Sequence, residues 1–282
     1  MSGLLSGLDK FGLEGLEGAI LFPEAKKKRT AESPTAKPVV KETDLIFDKG
    51  YECPACGSEF RAKTVKTGKA KLAEVEMDLR PRYQNVDPLK YDAVVCPECG
   101  YAALTRFFNS LTPVQVRLIK EEITVRFKAA SKAEEIYTYE KAIENHKLAL
   151  VNAMVKKAKS SEKAYICLKL AWIIRGKKEH LPTYVDNYDA IIKESEEEEN
   201  RFVKNAFEGF RRAIETESFP MCGMDEHTTI YLVAVLAMNT GNYEVASKLV
   251  SSVLTDRTAS RRIKDKACEL KEALIQKIRS SR

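Results

Sequence analysis

No run of about 18 apolar residues occurs in the 282-residue sequence, so it contains no hydropathy signal for a transmembrane helix. The first residues lack a basic start, an unbroken apolar core and a small-residue cleavage site, the marks of a secretory signal, and the expected compartment is the cytoplasm. Also missing are a P-loop, a G-x-G-x-x-G turn, a nucleophile elbow and a His-Glu-x-x-His pair. Histidine is scarce, at three residues. His146 falls where a helical pattern wants a bulky core residue, and His180 has no partner in the sequence around it. His227 follows Asp225 at the opening of a helix expected over residues 228–239. None of them nominates a catalytic group, and the chain is read as non-enzymatic. Excess charge is confined to one place. The formal net charge is +6, yet residues 51–106 hold 9 Lys+Arg against 8 Asp+Glu, whereas residues 259–282 hold 8 against 3. A near-neutral central module argues against nucleic acid as its partner.

What is present is one motif written twice. Cys53-Pro54-Ala55-Cys56-Gly57 and Cys96-Pro97-Glu98-Cys99-Gly100 are separated by 39 residues between Cys56 and Cys96. In each, proline fixes φ within a tight turn, and glycine supplies the positive φ that brings backbone N–H groups towards sulfur. Two such turns facing each other offer four soft ligands in the tetrahedral arrangement zinc prefers. Cys53, Cys56, Cys96 and Cys99 are therefore expected to hold one structural zinc ion, with no coordination position left for substrate or water. A redox CxxC needs only one copy of the motif, and disulfides need an oxidising compartment. The count of seven cysteines is odd, and Cys167, Cys222 and Cys268 stand alone as reduced thiols do.

Along the chain, residues 1–22 are apolar but broken by glycines, and residues 23–42 have the Lys/Glu/Pro/Thr composition of a flexible linker. Residues 60–65 and 70–77 alternate with period two around Thr67-Gly68, which predicts a hairpin. Residues 78–92 are irregular, and 93–95 form a short strand leading into the second knuckle. After Gly100 the pattern turns helical and stays so. Thr112-Pro113 is an N-cap followed by proline at the first helical position. One long helix is expected over 186–217, its acidic run from Glu194 to Glu199 being a solvated face. A final helix over 259–279 is apolar on one side and basic on the rest. An internal repeat links Tyr139-x2-Ala142 with Tyr243-x2-Ala246, and Tyr165…Leu170-Ala171 with Tyr231…Leu236-Ala237. The offsets are close to multiples of about 34 residues, the tetratricopeptide period.

The knuckles, the Cys99-Gly100-Tyr101-Ala102-Ala103 stretch, the Leu170-Ala171-Trp172 segment, the Phe219-Pro220-Met221-Cys222-Gly223-Met224-Asp225 loop and the Asn242-Tyr243 turn carry a resemblance. Over about residues 45–256 the chain resembles a bacterial family known only as domain of unknown function 2225. The resemblance implies a zinc-binding module on a tetratricopeptide-like helical domain, and no activity. The expected fold is α+β and mostly α. It comprises an N-terminal segment and linker (1–45), a zinc-ribbon-like four-cysteine module (46–106) and a helical tetratricopeptide-like hairpin array with a basic capping helix (107–282). The expected role is a protein-interaction scaffold with a protein or peptide partner. The alternatives are nucleic-acid binding through the ribbon and the last helix, and a thiol or zinc redox sensor.

Overall fold

The structure, a computed structural model, describes residues 41–128 and 134–280. The apolar segment at residues 1–22 and nearly all of the linker expected over 23–42 lie outside the described residues. Three antiparallel hairpins come first: β1 (Ile46–Glu52) with β2 (Glu59–Val65), β3 (Lys71–Val75) with β4 (Pro81–Gln84), and β5 (Ala93–Val95) with β6 (Ala102–Leu104). β1 and β2 are in register from Ile46 opposite Val65 to Glu52 opposite Glu59.

This pairing corrects the hairpin expected around Thr67-Gly68. Gly68 does turn the chain at φ 75°, but β2 folds back on β1 and β3 pairs with β4. The first knuckle is the tighter closure: Cys53 N donates to Ser58 O at 2.9 Å and Gly57 N to Cys53 O at 2.8 Å, zipping seven residue pairs behind it. Two further expectations change. Residues 78–92 contain β4 and a 3₁₀ turn at Pro88–Tyr91, whose N-cap Asp87 accepts from Leu89 N. The stretch after Gly100 opens as strand β6 rather than as helix, because β5 lies ready to pair with it.

Seven α-helices follow among the described residues. α1 (Pro113–Ile119) starts at a capping box in which Thr112 and Gln115 satisfy each other's backbone N–H, and it runs on into a π turn at Lys120–Thr124. α2 (Tyr139–Val155), α3 (Ser160–His180), α4 (Tyr188–Thr216), α5 (Glu226–Asn239), α6 (Tyr243–Thr255) and α7 (Arg261–Ser280) each pack on the next. α5 is apolar around most of its circumference, and α3, although it carries charged residues such as Lys169 and Arg175, is buried along most of its middle. Ile166, Leu168, Ile173 and Ile174 on α3, like Leu232, Ala234 and Leu236 on α5, are fully buried. α7 buries one face only, through Ile263, Ala267, Leu270 and Leu274. The fold is thus α+β and mostly α.

The hairpin β5–β6 joins the two halves. Side chains on a strand alternate between faces. Ala93, Ala102 and Leu104 enter the helical core, while Val94, Tyr101 and Ala103 enter a second core with the knuckle cysteines, Phe108 and Ile119. The turn between β3 and β4 is held from the helical side: Trp172 Nε1 donates to Asp78 Oδ2 at 3.1 Å and Tyr231 OH to Met77 O at 2.9 Å.

Candidate metal centre

Both knuckles are hairpin tips, and they are built alike. In the first, Gly57 N donates to Cys53 O and Cys53 N to Ser58 O; in the second, Gly100 N donates to Cys96 O at 3.1 Å and Cys96 N to Tyr101 O at 2.8 Å. Gly57 and Gly100 adopt φ of 79° and 73°, the left-handed conformation that lets the amides curl around sulfur. The four sulfurs of Cys53, Cys56, Cys96 and Cys99 lie within 4.8 Å of one another. Cys53 Sγ is 3.6 Å from Cys99 Sγ, and Cys56 Sγ is 3.7 Å from Cys96 Sγ. Those contacts are much longer than a disulfide bond of about 2.05 Å. They match the roughly 3.8 Å edge of a tetrahedron whose metal–sulfur bonds are about 2.3 Å. All four expected ligands are thus together and can hold one metal ion.

The electrostatics of the cluster favour a cation. Hydrogen bonds from the Cys53 and Cys99 thiols hold Cys96 far below the usual thiol range. Cys53, donating to Cys96, is pushed up to about 11, and Cys99 is pushed up by its contacts with Cys53 and Cys96. One thiolate therefore forms readily while its neighbours resist ionising beside it, and a bound cation removes that resistance.

The surroundings of the two knuckles differ. Cys96 and Cys99 are buried and backed by groups from elsewhere in the chain: Thr124 Oγ1 donates to Cys99 O at 3.1 Å, and Asn152 Nδ2 donates to Gly100 O at 3.0 Å. Tyr101 OH donates to Phe108 O beneath the cluster at 2.9 Å. In the first knuckle Cys53 is buried but Cys56 is exposed, with the Ser58 hydroxyl 3.3 Å from its sulfur. Thr124 and Asn152 are supports that the sequence does not reveal, since neither sits near a cysteine in the chain.

The remaining cysteines stay apart from the centre. Burial pushes the Cys167 and Cys222 thiols up to about 12, and Cys268 is exposed. His146 is wholly buried, as its place in the pattern implied. His180 lies 2.8 Å from Gly176 O through Nδ1, with its ring against Tyr139. His227 follows the N-cap Asp225 and meets Asp256 at 3.0 Å. The acidic run on α4 departs from a purely solvated face: Glu199 is buried and bonded to Arg175 at 2.8 Å and Lys178 at 2.9 Å. Arg175 also reaches Glu76 and Asp78, tying the β3–β4 turn to α3 and α4. On the β1–β2 ribbon, Lys63 is engaged by Asp48 at 3.0 Å. No helix among the described residues is long and apolar enough to cross a membrane.

Comparison with known proteins gives two matches. A stretch of 80 residues is 31% identical to an uncharacterized protein of Borreliella burgdorferi, covering 26% of this chain and 29% of that protein, so less than a third of that relative is spanned. No solved structure matches. A family described as an uncharacterized protein conserved in bacteria (DUF2225) matches residues 46–274, extending the resemblance from about residue 256 into α7. With both knuckles and six of the seven helices wholly inside that span, the chain belongs to this bacterial family.

Proposed function

We propose that this protein is a non-catalytic, cytoplasmic scaffold, clasped by one zinc ion, that binds a protein or peptide partner. The observation that carries the reading is the gathering of four sulfurs within 4.8 Å, three of them from buried cysteines. Four thiolates at this spacing suit a soft ion that accepts tetrahedral geometry, and they fill its coordination shell. The ion supplies a cross-link between two hairpin tips. The chain's own residues do the rest: Thr124 and Asn152 steady the second knuckle, and β5–β6 transmits its position to the helices.

The scaffold part rests on the stacked helices. The residues matched in the internal repeat fall at equivalent places: Tyr139 and Tyr243 open α2 and α6, and Ala142 and Ala246 are both fully buried. Serial stacking of helix pairs makes extended surfaces suited to extended partners.

Reduced, natively purified protein should contain one zinc per chain by elemental analysis, and Cys99→Ser should lose it. The immobilised full chain should capture a saturable partner from lysate of its own source, and Cys99→Ser should capture much less. Stoichiometric zinc without any saturable partner would leave the clasp standing and reject the scaffold.

A further inference from the structure

The four sulfurs of the metal centre lie close together but are unequally open to solvent. Cys53, Cys96 and Cys99 are 1%, 0% and 2% exposed. Cys56 is exposed, and even a Cβ on the adjoining Gly57 would meet open space. The cause is its place in the fold. Cys56 sits at the tip of the two-stranded β1–β2 ribbon, whereas the second knuckle is backed by Thr124 and Asn152.

Oxidation of a cysteine follows its thiolate character and its access to the oxidant. All four sulfurs are thiolates when they hold a metal ion, so access is what separates them. An oxidant arriving from solvent therefore meets Cys56 first. Glu52 and Glu59 lie opposite each other in the ribbon just behind the knuckle, which favours a small neutral oxidant over an anionic one.

A second sulfur is within reach. Cys96 Sγ lies 3.7 Å from Cys56 Sγ, while Cys53 Sγ is matched with Cys99 Sγ at 3.6 Å. Closing the first gap to a disulfide bond needs a shift of under about 2 Å. The first knuckle is free to make it. Among the described residues, no side chain beyond the cluster and Ser58 is hydrogen-bonded to that tip.

We infer that Cys56 is a site of oxidation by hydrogen peroxide and that Cys96 resolves the product. The Cys56 thiolate attacks one peroxide oxygen and the O–O bond breaks. The sulfur keeps that oxygen as a sulfenic acid, and the other leaves as hydroxide. The Cys96 thiolate then attacks the Cys56 sulfur; the S–S bond forms as the S–O bond breaks and releases a second hydroxide. Two thiolates give up two electrons in all, and one peroxide takes them. Only Cys53 and Cys99 then remain as ligands, too few for a tetrahedral sulfur site. The hairpin tips stay joined by the new bond, so the metal is given up while the ribbon remains attached. This rests on the metal-clasp reading and gives the clasp an oxidised form, transient wherever thiol reductants are present.

The test begins with zinc analysis of the natively purified, reduced full chain. Hydrogen peroxide is then added with a chromogenic zinc chelator, against a control without peroxide. The chain should lose its zinc in step with the appearance of one disulfide, which tandem mass spectrometry should place between Cys56 and Cys96. Far-UV circular dichroism should stay unchanged, and dithiothreitol with added zinc should restore the starting content. Cys268 is the other exposed cysteine, and Cys268→Ser should lose zinc at the wild-type rate. Zinc retained while Cys268 is oxidised would overturn the inference and leave the clasp standing. So would zinc loss through a Cys53–Cys56 disulfide, or zinc loss that Cys268→Ser abolishes. A chain without zinc before peroxide is added would reject the clasp itself, and this site with it.

Discussion

His146 shows burial deciding the chemistry of a residue. Its Nδ1 lies 2.7 Å from Ala142 O, which assigns the proton to Nδ1 and leaves the buried Nε2 without a partner among the described residues. Burial pulls its pKa from the usual 6.5 down to about 4. The unfolded chain therefore takes up a proton as pH falls through about 6.5, while the folded chain takes none until about 4. Stability from this group is full above the unfolded value and is lost as pH falls towards the folded one, by on the order of 3 kcal/mol. His146→Leu should flatten that part of the profile: urea midpoints at pH 7 and pH 5 should differ less than in wild type. Thiolate protonation is common to both proteins and cancels in the comparison. Equal pH slopes would show that the imidazole does not titrate as its burial implies. The position was readable as core from the helical pattern. That Nε2 would be orphaned was not, because its surroundings are made by distant elements.

At the scale of elements, the two knuckles are equal in sequence and unequal in setting. A non-glycine residue at their positive φ costs about 1–2 kcal/mol in either. A Cβ at Gly57 meets open space, whereas one at Gly100 would sit 2.4 Å from Phe127 Cγ. Gly100→Ala should therefore lower both metal affinity and melting temperature more than Gly57→Ala, by a further roughly 1–3 kcal/mol for the displaced ring. Chelator competition and thermal melts on both variants decide it; equal losses would mean that Phe127 moves aside freely. The strands teach a related lesson. Alternation at residues 60–65 and 70–77 correctly marks extended chain, but alternation is blind to partners. The knuckle closing β1 onto β2 and the turn closing β3 onto β4 settle who pairs with whom. The capping box at Thr112, by contrast, was readable because all its parts lie within four residues.

Across the whole molecule, the ribbon and helices are held together by charges as well as by β5–β6. Asp78 accepts from Trp172 Nε1 at 3.1 Å and Arg80 N at 3.2 Å, and pairs with Arg175 at 2.9 Å. Arg80 and Arg82 converge on Glu179 of α3, each at 2.9 Å. Burial pushes the Glu179 carboxyl up, but hydrogen bonds and attraction from Arg80, then Arg82, outweigh it and hold the group below the usual carboxylate range. Removing one member of such a buried network strands its partners. Asp78→Ala should cost about 3–5 kcal/mol in chemical denaturation, and Asp78→Ala with Arg175→Met should recover part of that loss. A cost below about 1 kcal/mol would mean the turn is held by Tyr231 and packing alone.

The chain by itself determined what neighbours in sequence can enforce: four sulfurs on two tight turns, helix starts at Thr112 and Asp225, and two long helices expected over 186–217 and 259–279 and found at Tyr188–Thr216 and Arg261–Ser280. Tertiary structure decided what joins residues far apart: Asn152 beneath Gly100, Tyr231 on Met77 at a separation of 154 residues, and a three-residue strand pair serving two cores. Turns and caps are set by dihedral preferences and hydrogen bonds within a few residues, so their signals survive in sequence. Contacts across the fold depend on which apolar faces exclude water together, and that is settled only once every element competes for the same core.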